Sequence, residues 1–275
     1  MARVNHGNLL QHAIECAAAT QLVGDGGDLR LVCTHAMAPF ESARSTDVHE
    51  HNRVLRDLLG QVACMPPEGA AAAPHPLVRA YAAAGATVGH YPNTAELLAG
   101  LIGREHLDGV LCEIEPDAVA ALRTAWQGSS VRVEARPWRE ALDTLLPPAP
   151  LTRPWLFSMD PYTFLHAGER KQDGMIPFLG PKDFELLRRC LAAHVKSESL
   201  GAFMAFVYGV DKSHAGGFRR GALALADRLG VARVIVGVEG PDGTRHLGAV
   251  LASDPDLPAL AAESWHEMKS TLGLR

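Results

Sequence analysis

Cysteines are few in the 275-residue sequence, and they are far apart along it. They stand at positions 16, 33, 64, 112 and 190, and no two of them make a Cys-x-x-Cys motif. An odd number of widely spaced cysteines argues against a disulfide framework and against a structural zinc site. The composition therefore predicts a protein of the reducing cytoplasm that holds no metal.

The sequence also has little positive charge and no long apolar run. It has 26 lysines and arginines and 31 aspartates and glutamates, which gives a formal net charge of −5. A protein that mainly binds phosphate backbone is more often basic. No apolar run approaches the length of a membrane span, and the N-terminus has no apolar signal segment. We predict a soluble cytoplasmic monomer or homodimer without a membrane partner.

Hydrophobic patterning predicts strands that alternate with helices. Short apolar runs predict strands at 29–33, 109–112, 130–135, 154–159, 201–208, 233–238 and 247–252. Helical periodicity and capping signals predict helices at 5–23, 41–65, 77–84, 94–103, 117–126, 137–146, 181–194, 214–229 and 257–270. Loops are expected at 66–76, at 165–180 and in the hairpin turn 240–243. This order predicts an α/β fold, a doubly wound Rossmann-like sheet with a terminal antiparallel hairpin.

The first predicted helix has clear boundary signals. Asn8 is a favoured N-cap residue, and Gly24 is a favoured residue for ending a helix. His49 and His51 form a His-x-His pair in the second predicted helix. Residues two apart on a helix do not share a face, so this pair does not indicate a metal site.

The stretch from Trp155 to Phe164 contains the residues that best indicate chemistry. Trp155–Met159 is an apolar run typical of a buried parallel strand, and Pro161 cannot continue that strand because it has no N–H to donate. Asp160 is therefore expected at the carboxyl end of a strand, where open α/β sheets bind ligands. Its carboxylate could accept from a substrate amino group while the ring of Tyr162 stacks on a planar base. The alternative is an Asp-Pro turn with no chemical role.

Two other segments follow predicted strands and suit a nucleotide-type ligand. Glu113 follows the strand 109–112, and a carboxylate in that place holds the ribose hydroxyls in dinucleotide-binding folds. The alternative for Glu113 is a solvated acid at a strand end. Small residues in Thr34–Pro39 permit close approach of a ligand, although the segment has no Gly-x-Gly-x-x-Gly pattern.

The order of several short motifs resembles the RlmJ family of 23S ribosomal RNA adenine-N6 methyltransferases, class I S-adenosylmethionine (SAM) enzymes with a small helical insertion. The matching segments are His6-Gly7-Asn8 with His12, Thr34-His35-Ala36-Met37-Ala38-Pro39, Tyr91-Pro92-Asn93-Thr94, Glu113-Ile114-Glu115-Pro116, Leu146-Pro147-Pro148 and Asp160-Pro161-Tyr162. They cover roughly residues 3–210. The resemblance implies one seven-stranded methyltransferase domain over 1–275, with the helical insertion at roughly 41–90.

The resemblance also implies SAM as the cofactor and an adenine amino group in RNA or DNA as the target. Asp160 and Pro161 would form the catalytic segment, Tyr162 would stack on the flipped base, and Phe164 and Tyr91 would contact the substrate. The implied cofactor contacts are His6, Asn8, His12, Thr34, His35, Ala36 and Glu113.

Three departures from the family pattern bear on this interpretation. Met37 and Pro39 replace two loop glycines, and a Cβ there crowds the methionine part of SAM. Arg136 stands where the family has an aspartate near the adenine of SAM, and the catalytic segment is one proline short. Two alternatives therefore stay open: a methyltransferase of the same fold that acts on a small molecule, and a non-catalytic relative that serves as a binding protein.

Overall fold

The computed structural model describes residues 6–24, 27–41, 53–144, 153–159, 185–189, 191–192, 203–211, 215–239 and 245–274. Its strands are β1 (Leu29–Cys33), β2 (Phe40–Glu41), β3 (Tyr91–Pro92), β4 (Leu107–Cys112), β5 (Val131–Glu134), β6 (Trp155–Met159), β7 (Phe203–Asp211), β8 (Ala232–Glu239) and β9 (Arg245–Ala252). The short strands β2 and β3 pair only with each other, and the other seven form one sheet.

The seven-stranded sheet has the order β5-β4-β1-β6-β7-β9-β8. Strands β5, β4, β1, β6 and β7 run parallel, whereas β9 pairs antiparallel with β7 and β8. The chain passes from β1 to β4 and β5 on one side and then returns to β6 on the other side of β1. Strand order thus reverses between β1 and β6, which opens a crevice at the carboxyl ends of these strands. The predicted seven-stranded doubly wound sheet is confirmed.

Helices cover both faces of this sheet. They are α1 (His6–Val23), α2 (Arg53–Ala63), α3 (Pro67–Ala71), α4 (Pro76–Ala83), α5 (Thr94–Ile102), α6 (Pro116–Ala125), α7 (Trp138–Thr144), α8 (Ala215–Leu229) and α9 (Asp256–Thr271). Residues 185–189 and 191–192 are helical as well. Among the described residues, no helix is both long and apolar enough to cross a membrane.

Alternation along the strands divides the core into two clusters. Leu31 and Phe206 belong to the cluster on the face that packs against α1, α5 and α9. Val32 and Phe157 belong to the cluster on the opposite face, together with Phe218 of α8. Neighbouring residues of one strand point to opposite faces, so a sheet covered on both sides needs strands that are apolar throughout.

Some predicted boundaries are wrong. Helix α1 begins at His6, so Asn8 lies inside the helix rather than capping it, whereas Gly24 follows the last helical residue with φ +53° as expected. The predicted loop 66–76 contains α3, because Pro67 presets the first helical φ and alanines favour the helix.

The predicted helix 41–65 is the other large difference. Glu41 ends the short strand β2, so no helix begins at residue 41, and the described part of the helix α2 spans Arg53–Ala63. His49 and His51 lie outside the described residues. Helices α2, α3 and α4 fall within the range predicted as an insertion, and the single-domain assignment of 1–275 stays a prediction.

Candidate functional site

The loop after β1 crosses the carboxyl edge of the sheet. The N–H of Thr34 donates to the carbonyl of Ser158 on β6 over 3.0 Å, and the N–H of Ala36 donates to the carbonyl of Cys112 on β4 over 3.0 Å. These bonds fix the loop across the ends of three adjacent strands, at the point where the strand order reverses. The predicted cofactor loop therefore lies at the edge where ligands bind in this class of sheet.

Asn93 holds the other side of this loop. Its backbone N–H donates to the carbonyl of Pro39 over 2.9 Å, and its side-chain Nδ2 donates to the carbonyl of Ala36 over 2.9 Å. Its Oδ1 accepts from the N–H of Glu96 and thereby caps α5, as its position before that helix predicts. One side chain thus joins the loop to the start of a helix.

A small cleft with a cavity volume of about 20 Å³, partly open to solvent, lies between this loop and α1. Its lining residues are Asn8, Gln11, His12, His35, Ala36, Met37, Ala38, Tyr91, Pro92, Asn93 and Thr94. Five of the predicted site residues are among them, namely Asn8, His12, His35, Ala36 and Tyr91. The structure therefore brings together residues that are far apart in the sequence, as the resemblance implied, although their roles stay predictions.

His12 is held by two tyrosine hydroxyls. Its Nδ1 lies 3.1 Å from the hydroxyl of Tyr81 and 2.9 Å from that of Tyr91, and the two hydroxyls are 3.0 Å apart. The rings of His12 and Tyr91 are stacked with centroids 5.4 Å apart. Burial lowers the pKa of His12 to about 3, so the imidazole is neutral and can accept from a tyrosine hydroxyl.

Glu113 is partly exposed and accepts hydrogen bonds from three backbone N–H groups. Its Oε2 accepts from the N–H of Met37 over 2.9 Å, and its Oε1 accepts from the N–H groups of Ile114 and Glu115 over 2.7 and 3.0 Å. Met37 has φ +59° and is the only described residue other than glycine with a positive φ. Met37 stands where the RlmJ resemblance implied a glycine, and it adopts a backbone conformation that favours glycine, at a cost of roughly 1–2 kcal/mol.

His35 faces the cleft from the loop. Its Nδ1 lies 2.8 Å from Oγ1 of Thr34, which is buried and does not line the cleft. Burial, assisted by the charge of Arg139, lowers the pKa of His35 to about 4. The imidazole is therefore neutral at physiological pH, and its ring lies 6.3 Å from that of Trp138.

A buried polar network lies beneath the cleft, and the sequence interpretation missed it. Gln11 donates through Nε2 to Oγ of Ser158 over 3.0 Å and to Oε1 of Glu15 over 3.2 Å. Thr94 donates through Oγ1 to Oε2 of Glu15 over 2.9 Å. The available signal was the polar pair Gln11 and Glu15, four residues apart and therefore on the same side of α1.

Two more residues in or near the motif segments, Gly7 and Arg136, bear on the carboxyl edge of the sheet. A Cβ at Gly7 would collide with the ring of Tyr208 on β7, so packing explains this glycine. Arg136 donates through Nε to Oε2 of Glu134 over 3.2 Å. Because a guanidinium has no acceptor, Arg136 cannot replace an aspartate as a partner for an adenine amino group.

Part of the predicted site cannot be placed. Asp160, Pro161, Tyr162 and Phe164 lie outside the described residues, as does the side chain of His6. Asp160 follows Met159, the last residue of β6, directly in the sequence. Among the residues that are described, no group of three or more His, Cys, Asp or Glu side chains could hold a metal ion.

No protein-family model and no curated protein matches the chain. Among solved structures it is similar to protein LPL1258 of the DUF519 family from Legionella pneumophila, with 14% identity over 97% of this chain and 92% of that chain and a TM-score of 0.64. A probable spermidine synthase from Corynebacterium glutamicum matches with 14% identity over 92% of this chain and 64% of that chain, at a TM-score of 0.42. The first similarity confirms the α/β fold, and the second is too weak to carry an argument.

Proposed function

We propose that this protein is a SAM-dependent N-methyltransferase that acts on an adenine amino group in nucleic acid, as in ribosomal RNA. The observation that carries the proposal is the cleft at the reversal of strand order, which collects Asn8, His12, His35, Ala36 and Tyr91. Ligands of open α/β sheets bind at this position. The RlmJ resemblance adds the choice of cofactor and target.

Three features of the described residues support SAM as the ligand. The side chain of Ala36 is small, and the left-handed backbone at Met37 keeps the loop in the shape that a glycine would give it. Glu113 accepts hydrogen bonds from three backbone N–H groups. Because a carboxylate offers about four acceptor positions, one position remains for a ribose hydroxyl. When bound, SAM supplies a methyl group on a sulfonium. Asn8, His12, His35, Ala36 and Glu113 would hold it, with His6 and Thr34 adjoining.

The catalytic proposal concerns the residues that follow β6. An exocyclic adenine amine is a poor nucleophile because its lone pair is delocalised into the ring. Asp160 would accept hydrogen bonds from the amine and localise that lone pair, while Tyr162 or Phe164 stacks on the base. Proximity and orientation of the amine and the methyl group would further contribute to the rate of transfer. A base in a duplex has to be flipped out of the stack before it can react.

The test is transfer of a radiolabelled methyl group from SAM to RNA and DNA by Asp160→Ala. We expect transfer to fall by roughly 100-fold or more, because a carboxylate that contacts the reacting amine contributes on that order. SAM affinity should stay nearly unchanged. Asp117→Ala, an exposed aspartate on α6, is the matched control and should keep full activity. Transfer that survives in Asp160→Ala would show that the catalytic assignment is wrong.

A small-molecule target is the second candidate, because a net charge of −5 disfavours a polyanionic partner. The same assay separates the two candidates when adenosine and small amines replace nucleic acid. Transfer to a small amine, with none to RNA or DNA, would support the second candidate. The oligomeric state and the cytoplasmic location stay predictions in either case.

A further inference from the structure

A short β-ribbon forms one side of the cleft. Its strands β2 and β3 pair antiparallel, with Phe40 directly opposite Pro92. The ribbon extends by one residue beyond β3, because Thr87 and His90 form a β-bridge through backbone hydrogen bonds of 3.0 and 3.1 Å. Two residues of β3, Tyr91 and Pro92, line the cleft. Side chains of this ribbon therefore lie beside the proposed site.

The two faces of the ribbon carry different aromatic side chains. Tyr91 is buried, and its hydroxyl lies 2.9 Å from Nδ1 of His12. Successive side chains of an extended segment point to opposite faces, so His90 belongs to the face opposite Tyr91. His90 shares that face with Pro92, two residues along the chain, and with Phe40, the residue paired with Pro92. This second face carries rings that take no part in the hydrogen bonds around His12.

Phe40 and His90 form a stacked pair on this face. Their ring centroids are 3.7 Å apart, and their planes are inclined by 13°. His90 is exposed although Phe40 covers one face of its ring, so the other face of the imidazole is the surface available to a ligand. Within the part of the chain that the structure describes, no hydrogen bond holds the imidazole. The ring is therefore positioned by its stacking on Phe40 and by the backbone bridge.

A stack of two rings with one outer face exposed suits a nucleobase. Bases stack on aromatic side chains, histidine included, and each such contact strengthens the binding of a single strand roughly five- to a hundred-fold. The imidazole of His90 is already held parallel to Phe40, so little side-chain freedom is lost when a base is added. A base next to a flipped nucleotide loses a stacking partner, and this pair of rings would replace it.

We propose that Phe40 and His90 form a stacking platform for a nucleobase next to the target base in the bound nucleic acid. The inference rests on the proposed function, because it takes the substrate to be a nucleic acid. His90 contacts the neighbouring base, and Phe40 is a positioning residue that holds the imidazole parallel to that base. The platform thereby anchors the strand beside the cleft while the target base enters it.

The test is the binding of two fluorescein-labelled strands, measured by fluorescence anisotropy in the absence of SAM. One is a short single-stranded RNA, and the other has the same number of phosphates but only abasic nucleotides. The two strands therefore differ only in the bases that can stack. We expect His90→Ala to weaken the intact RNA about ten-fold and to leave the abasic strand unchanged. In the methyl-transfer assay, the same variant should raise KM for RNA and leave kcat and SAM affinity unchanged.

Two variants serve as controls. His90→Tyr keeps a ring on Phe40 and should retain the affinity for intact RNA, whereas His266→Ala removes an exposed histidine of α9 and should change neither affinity. Equal weakening of both strands by His90→Ala would overturn the platform, as would unchanged affinity for intact RNA or failure of wild type to bind it. Wild type that binds RNA with the expected dependence on His90 but transfers no methyl group would refute the proposed function and support the platform.

Discussion

The central sheet has partly exposed ion pairs at its amino ends and a buried polar network behind the cleft at its carboxyl ends. At the amino ends of β1, β4 and β6, Arg30 pairs with Asp108 over 3.2 Å, and Arg153 lies 3.4 Å from both Asp28 and Asp108. The two arginines are 38% and 43% exposed, so solvent screens these pairs in part, although Asp108 is only 16% exposed. At the carboxyl ends, uncharged donors and one carboxylate are buried beneath a cleft.

This difference indicates where the fold tolerates change and where it does not. Exposed ion pairs contribute about 0–1 kcal/mol each, because both partners remain well solvated when separated. Removing the partner of a buried polar group lowers the free energy of unfolding much more, since nothing replaces the lost hydrogen bond. A protein has little structural reason to keep such a network. Its presence beside the cleft is therefore an argument that the carboxyl edge is functional.

The largest effect on stability should come from breaking the buried network. Gln11→Leu removes the donor to both Glu15 and Ser158 and leaves a buried carboxylate under-satisfied, which should lower the free energy of unfolding by about 2–4 kcal/mol. Arg153→Leu at the opposite edge should cost less than about 1 kcal/mol. Urea denaturation measures both. Equal losses would remove the contrast between the two edges.

The neutral histidines of the carboxyl edge should make the fold acid-sensitive. The pKa of His12 is lowered from 6.5 to about 3 in the folded protein, and that of His35 to about 4. On acidification, the unfolded chain therefore binds protons at these imidazoles before the folded protein does. These groups do not reduce the free energy of unfolding above pH 6.5, and they lower it as the pH drops below that value. Each imidazole should remove about 1.4 kcal/mol per pH unit from the free energy of unfolding.

The variant His12→Gln should reduce this slope by about 1.4 kcal/mol per pH unit between pH 6.5 and roughly pH 5, because one of the titrating imidazoles is lost. Denaturation curves at several pH values measure the slope. An NMR titration provides an independent check, since the His12 ring signals should not shift over the same range. Protonation of His12 near its ordinary pKa would contradict the buried arrangement with Tyr81 and Tyr91.

The smallest effect should come from the strained loop residue. Met37→Gly removes the left-handed strain, and the gain offsets the added chain entropy of glycine, so stability should change by less than about 1 kcal/mol. SAM affinity should improve, because a Cβ is removed from the loop. Ala38→Gly has no positive φ to relieve, and it should destabilise by roughly 0.5–1 kcal/mol without improving affinity. Identical behaviour of the two variants would show that Met37 is not strained.

The sheet was largely predictable from the sequence, because strands covered on both faces are apolar runs that stand out between helical segments. The same reasoning failed at α3, where an alanine-rich turn follows two prolines. It also failed at residue 41, which was predicted to begin a helix and instead ends the strand β2. Such short or polar segments have weak local signals, and tertiary packing decides their structure.

The site was predictable only in part. Ordered motifs identified Asn8, His12, His35, Ala36 and Tyr91, which the structure brings to one cleft. The network of Gln11, Glu15, Thr94 and Ser158 was not predicted, because the apolar periodicity of α1 leaves Gln11 and Glu15 on its polar side. Packing of α1 against α4, α5 and α9 buries that side, and no local pattern of the helix reports those partners.

Calorimetric titration of the wild-type protein with SAM tests the central claim most directly. If the cleft at the carboxyl edge is a cofactor site, SAM should bind with micromolar affinity, on the order of −8 kcal/mol. Absence of binding at millimolar SAM would contradict the account. It would mean that Met37, Pro39 and the contact between Glu113 and the loop close the site, as in a non-catalytic relative.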